Sequence, residues 1–281
     1  MNVREAIAQG SADLKFADIQ SPGLDASLLL AFVLKTSRTS LIASGTKKVS
    51  EDDCAAFCEL IERRCNGECV AYLTGKKEFR GLEFEVNKSV LVPRPDTETL
   101  VEAALELLPA ASSGAVLDLC TGTGAVAVSL KNERPELEVW AADISIEALE
   151  TAKRNAKRLG KDVRFHNGDL YAALPSLNNP FNMIVSNPPY IPTREIQSLA
   201  AEVQNEPRIA LDGGDSGLDI IERIIDGAPD HLLNGGYLLL EIHPPLVQEI
   251  KVLLEKKGFK DIQLYKDLSG LQRVIGGRYE N

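Results

Sequence analysis

Residues 116–128 read VLDLCTGTGAVAV, and their order decides the fold class. A short apolar run breaks into a loop with glycines at 122 and 124, and an apolar-periodic helix, GAVAVSLKNE (124–133), begins at once. Glycines let a backbone turn sharply and let a ligand approach without Cβ interference. The helix start behind them presents free N–H groups. Outward from this unit the same alternation repeats. EVWAAD (138–143) reads as a strand, SIEALETAKRNAKRLG (145–160) as a helix, and VRFHNGD (163–169) and FNMIVSN (181–187) as strands. LDIIERIIDGAPDHL (218–232) and LVQEIKVLLEKKG (246–258) read as helices, with GYLLLEI (236–242) as the strand between them. Alternation of this kind predicts a Rossmann-like α/β domain, a mostly parallel sheet with helices on both faces. IQLYKD (262–267) and LQRVIGG (271–277) lie too close together for a crossover helix, so they form a hairpin and give one antiparallel edge strand.

Upstream the pattern differs. The first 75 residues read as short helices. Ser21-Pro22 looks like an N-cap with proline at the first helical position, and Ser50 with Asp53 like a capping-box start. Apolar residues recur there at three- and four-residue spacing, as in a small helical bundle. KEFRGLEFEVNKSVLVPRP (77–95) alternates with period two around Gly81 and predicts a β-hairpin. The organisation expected is a bundle at 1–75, a hairpin connector at 76–95, and an α/β domain at 96–281 that opens with a helix over 96–108.

The chain has 281 residues, 44% hydrophobic and 26% charged, with a formal charge of −10. That charge opposes a surface built to neutralise many phosphates. The opening MNVREAIAQGSADLKF has no apolar core of signal-peptide length, and no apolar run reaches the roughly 18 residues that span a bilayer. Five cysteines suggest reduced thiols and a cytoplasmic protein. Nothing demands more than a monomer.

Two further signals mark a site. Asp143 closes the strand after the glycine loop, at the spacing of about 20 residues where a carboxylate accepts both hydroxyls of a ribose. Gly122-x-Gly124-x-x-Ala127 also satisfies the looser dinucleotide fingerprint, so these residues alone fit either a nicotinamide cofactor or S-adenosylmethionine. VSNPPYIP (185–192) follows the fourth strand of the sheet. Two prolines rule out helix and inner strand, leaving a stiff loop. In an open parallel sheet the carboxyl ends of strands share one crevice. The glycine loop, Asp143 and Asn187 therefore converge. The Asn187 side-chain oxygen and the Pro188 carbonyl could accept both N–H bonds of a planar amide, with Pro189 stiffening the loop and Tyr190 stacking on the flat group. None of the three histidines sits in these motifs. The chemistry is then positioning, not acid–base work.

FRGLEFEVNKSVLVPRPDTETLVE (79–102), VLDLCTGTGA (116–125), VSNPPYIP (185–192) and EPRIALDGGDSGLDIIERII (206–225), in this order, resemble the HemK/PrmC-type glutamine methyltransferases. The resemblance covers residues from about 70 onward. It implies a class I S-adenosylmethionine-dependent methyltransferase that modifies the glutamine of the Gly-Gly-Gln motif in peptide-chain release factors, with S-adenosyl-L-homocysteine as product. It carries the cofactor loop onto Cys120, Thr121, Gly122, Thr123 and Gly124, the ribose-binding acid onto Asp143, an adenine-side contact onto Leu170, and the catalytic loop onto Asn187 to Tyr190. Cys120 stands where the family usually has glycine, and Leu170 where it often has an aromatic. Asp118 is placed to contact the cofactor's amine or to hold the loop. NPPY is shared with methyltransferases of the adenine amino group, so an adenine-N6 nucleic-acid enzyme is one alternative and a ribosomal-protein glutamine methyltransferase another.

Cys54, Cys58, Cys65 and Cys69 would spread over about 22 Å of continuous helix, too far for one metal ion, and read as buried small hydrophobes. Lys153, Arg154, Lys157 and Arg158 form a basic helix surface that reads as a solvated face rather than a nucleic-acid contact.

Overall fold

The computed structural model describes residues 1–108, 113–175 and 181–280. They divide into two compact units, one of Met1–Lys76 with Ala200–Asn205 and one of Lys77–Leu199 with Glu206–Asn281.

The first unit is helical: Val3–Phe16, Pro22–Val33, Arg38–Ala43, Glu51–Cys65 and Val70–Thr74. Asn2 and Glu5 close a reciprocal capping box on the first helix at 3.0 and 2.8 Å. Ser50 accepts the Asp53 N–H at 3.1 Å, as its spacing predicts. Ser21 stands at the N-cap of its helix but does not cap it. Its hydroxyl donates to Asp25 at 2.9 Å, and the other Asp25 oxygen accepts from the buried Arg64 at 2.8 Å. The Ser21 backbone, at φ −123° and ψ 57°, lies outside the extended conformation that Ser50 takes at its own cap. The expectation of four buried cysteines is corrected. Cys69 is buried, Cys54 and Cys65 are half-buried, and Cys58 is exposed. The inward stripe of that helix is Phe57, Leu60, Ile61 and Arg64, which leaves Cys58 to face outward.

The second unit opens with β1 (Lys76–Phe79) and β2 (Leu82–Glu85), a hairpin turned by Arg80 and Gly81 at φ 48° and 71°. Phe79 and Phe84 project from it into the core against Leu100 and Val101 of the helix Glu98–Leu107. The main sheet comprises β3 (Ala115–Leu119), β4 (Glu138–Asp143), β5 (Arg164–Asn167), β6 (Phe181–Ser186), β7 (Leu232–Glu241), β8 (Phe259–Lys266) and β9 (Gln272–Tyr279). Their order is β5-β4-β3-β6-β7-β9-β8. Every neighbour from β5 to β7 is parallel, and β9 runs antiparallel to both β7 and β8. The closing hairpin is present, and its second strand folds inside the first, so the antiparallel strand is one place in from the edge. Alternate residues feed two cores, Val116 on one face of the sheet and Leu117 and Leu119 on the other.

Strand order reverses at β3, which is flanked by β4 and by β6, and this switch point is where a parallel sheet opens a crevice. The register sharpens the point: Leu119 pairs with Ala142 on one side and Ser186 on the other. Cys120, Asp143 and Asn187 are each the next residue along three adjacent strands. Among the described residues no helix is long and apolar enough to cross a membrane.

Candidate active site

A cavity of ≈ 680 Å³ opens over these strand ends, within the usual range of about 300–1,000 Å³ for small-molecule sites. Its wall includes Cys120 to Thr123, Asp143, Leu170, Asn187 and Pro189. Among the described residues Gly124, Pro188 and Tyr190 are not in it.

The glycine loop is held from below by Asp118. This fully buried carboxylate accepts from the Thr121 hydroxyl at 2.6 Å and from the Ala127 N–H, in the first turn of the helix Ala125–Glu133, at 3.2 Å. Burial pushes its pKa up to about 7 against those two bonds. Of the two roles open to Asp118 in the sequence, the structure displays loop-holding. Gly122 and Gly124 take φ values of 54° and 79°, and so does Cys120, at 59°. A left-handed conformation costs a residue with a Cβ about 1–2 kcal/mol. That is the physical reason glycine suits position 120. Burial also raises the Cys120 thiol pKa, so the sulfur is a neutral wall group. A Cβ at Gly122 would meet nothing within 4 Å, so the room it leaves belongs to the cavity.

Asp143 accepts the Gly122 N–H at 2.8 Å through one oxygen and the Ser145 N–H at 2.9 Å through the other. Burial raises its pKa, and these backbone donors pull the other way. Each oxygen retains acceptor capacity for a hydroxyl. Leu170, at φ 50° in a short 3-10 turn, adds an aliphatic wall.

The lining carries five aspartates against two arginines. Arg208 pairs with Asp212 at 3.0 Å and Arg223 with Asp169 at 2.7 Å. With those two pairs set aside, Asp143 and Asp219 give the cavity negative sign. A diphosphate would meet like charge there, whereas a cationic ligand would hold the raised carboxylates ionised. The glycine pattern that fitted two cofactors thus fits the sulfonium-bearing one.

On the opposite wall Asn187 Nδ2 donates to Thr97 Oγ1 at 3.2 Å. Thr97 also hydrogen-bonds Glu241, which is buried at the end of β7 with its pKa raised by burial to about 7. The Tyr190 hydroxyl donates to Glu241 Oε1 at 3.1 Å, and its ring lies parallel to His243 at 6.3 Å. Burial and the neighbouring Glu241 raise the Tyr190 pKa, so it remains a donor. Tyr190 is therefore turned to the protein rather than offered for stacking.

The loop is braced from outside the motif. Ile191 N–H donates to Leu211 at 3.0 Å, Gly213 N–H to Ile191 at 2.9 Å, and Thr193 N–H to Gly214 at 2.9 Å. Arg94 pairs with Glu206 at 2.5 Å. LVPRPDT, NPPYIP and EPRIALDGG are thus neighbours in space. Thr97 and Glu241 are the residues sequence reasoning missed. A carboxylate ending the apolar run GYLLLE is a signal that could have found Glu241, as it found Asp143; nothing local marks Thr97. Arg154 and Arg158 bond Glu85 and Glu83 of the hairpin, so part of the basic surface is spent internally.

Residues 5–75 match the family described as PrmC N-terminal domain, and residues 96–267 match the methyltransferase small domain family. The chain is 39% identical over 279 residues to the release factor glutamine methyltransferase of Koribacter versatilis, covering 99% of each. It is 42% identical over 258 residues to that of Neisseria gonorrhoeae, covering 92% of this chain and 94% of the relative. A crystal structure of a methyltransferase from Pyrococcus furiosus superposes with a TM-score of 0.56 at 20% identity, over 78% of this chain and 98% of the other, a likeness of fold.

Proposed function

Because the chain belongs to the release factor glutamine methyltransferase family, we propose that Asn187 and the Pro188 carbonyl hold the side-chain amide of a release-factor glutamine for methylation. The chain is an S-adenosylmethionine-dependent protein-(glutamine-N5) methyltransferase. When bound, S-adenosylmethionine supplies an electrophilic methyl group on a positively charged sulfur. The residues that would hold it are Cys120 to Thr123 along the cavity wall, with Gly124 turning the loop into the helix, Asp143 by accepting ribose hydroxyls, and Leu170 by apolar contact with the base. The space left at Gly122 and the acidic lining fit this group.

The amide nitrogen of glutamine is a poor nucleophile because its lone pair is delocalised into the carbonyl. Two fixed acceptors, Asn187 Oδ1 and the Pro188 carbonyl, grip both N–H bonds, orient the nitrogen and favour its pyramidal form. No residue of the loop takes a proton beforehand. The nitrogen releases one to water after it gains the methyl group. The acceptor glutamine is that of the Gly-Gly-Gln motif, and the helical unit docks the release factor.

The observation that carries this reading is the polarity of the Asn187 amide. Its nitrogen is engaged by Thr97, which leaves the oxygen for a donor. Incubation with labelled S-adenosylmethionine and a release factor, beside a form with the motif glutamine replaced by glutamate, tests it. Label should enter only the glutamine form; equal labelling of both ends the proposal.

A further inference from the structure

We infer that Thr97 and Glu241 are positioning residues that set which end of the Asn187 amide faces the substrate. The inference rests on the glutamine-methylation reading above and deepens it. Of the two Glu241 oxygens only Oε1 is hydrogen-bonded among the described residues, and an oxygen that already accepts the Tyr190 hydroxyl accepts from Thr97 as well, so the single proton of the Thr97 hydroxyl goes to Glu241. The Thr97 oxygen is then left to accept from Asn187, and Nδ2 is the atom found there, 3.2 Å away. Rotating the amide by 180° would set two acceptors against each other. Asn187 Oδ1 is thereby held toward the substrate N–H.

Glu241 anchors the other end of the motif as well, since its Oε1 accepts the Tyr190 hydroxyl at 3.1 Å. Its Oε2 is buried and finds no partner among the described residues. An acid with so little compensation is costly to bury, which argues for a use beyond packing. Asp96 and Arg273 act on it electrostatically. The chain Asn187–Thr97–Glu241–Tyr190 joins side chains from the turn Pro95–Thr97, the catalytic loop and β7.

Thr97→Val keeps the shape and removes the hydroxyl. Glu241→Gln can donate to Thr97, which then turns its proton toward Asn187 and favours the reversed amide. Both should lower kcat by about 10- to 100-fold, the scale on which a misplacement of about 1 Å is felt. KM for the release factor and the dissociation constant for S-adenosylmethionine should stay within about twofold, because ground-state binding is untouched. Thr97→Ser, which keeps the hydroxyl, should recover most of the rate. A merely structural role would lower thermal stability and binding together, and serine would not rescue it. With the unaltered protein active, full turnover by Thr97→Val overturns the relay and leaves the methylation reading standing. Failure of the unaltered protein to methylate a release factor overturns both.

Discussion

Replacing Gly213 with alanine adds one methyl group that contacts neither ligand nor substrate, yet it should slow the enzyme. The added Cβ would lie 2.8 Å from the Tyr190 Cα, whereas ordinary contact begins near 3.4 Å. Backbone must therefore yield by about 0.6 Å, the difference of those two distances. Gly213 is not in the left-handed region, so the effect is steric alone. If 1 Å costs about 100-fold in an aligned site, 0.6 Å costs about 10-fold in kcat. Overpacking should also remove about 1–3 kcal/mol of stability, a few degrees in Tm. Gly270→Ala is the control. It has φ 81° and nothing within 4 Å, so it carries a conformational penalty without displacing anything. It should lower Tm by a similar few degrees and leave methylation intact. Initial rates of label transfer, read beside thermal unfolding, separate the two variants. The reasoning is refuted if Gly213→Ala turns over within about twofold of the unaltered protein while its Tm falls as expected, or if Gly270→Ala is equally slow.

Asn187→Ala should cost about 100- to 1,000-fold in kcat, as removal of one preorganised partner does elsewhere, with S-adenosylmethionine affinity by calorimetry little changed. Asp143→Asn should do the reverse, weakening cofactor binding by about 10- to 100-fold through loss of charge-assisted bonds. Asp118, with a folded pKa of about 7 above an ordinary value of 3.8, holds a proton that the unfolded chain has released. Its stabilising contribution is present below about pH 4 and lost as pH rises through 7. The stability of Asp118→Asn relative to the unaltered protein should therefore rise between pH 5 and 8 in denaturant titrations. Among the five cysteines Cys58 should react first with a thiol reagent, and Cys120 slowly, since burial raises its thiol pKa.

The strand–loop–helix of 116–133 and its repeats were legible because period and punctuation agree: apolar runs of strand length, glycines at the turns, charges on the helices' outer faces. Asp143 and Asn187 were legible because each ends an apolar run and a parallel sheet gathers such ends. The place of β9 was not, since two short apolar runs specify a hairpin but not which of them pairs with β7. The cysteines misled because small apolar residues recurring along a helix do not say which way their side of it faces. Phe57 and Ile61, larger and more apolar, decided it.

What local reading cannot supply is the second layer of the site. Thr97 is an ordinary residue after PRPD, and its meaning comes from Asn187, 90 positions away. The stretches that carried the family resemblance were diagnostic as separate strings, with no physical link between them. The structure gives the link. The LVPRPDT stretch supplies Thr97 to Asn187 and Arg94 to Glu206, while the LDGGDSG run pairs with the strand-like exit of the NPPY loop. Two prolines make that loop stiff, but stiffness alone does not place it. Placement comes from a backbone bridge at Ile191 and Asp212, and from Gly213, where Tyr190 passes too close for a side chain. A reaction that uses no strong base depends on position for its rate. Such a site needs its supporting segments specified as tightly as the residues that touch the substrate.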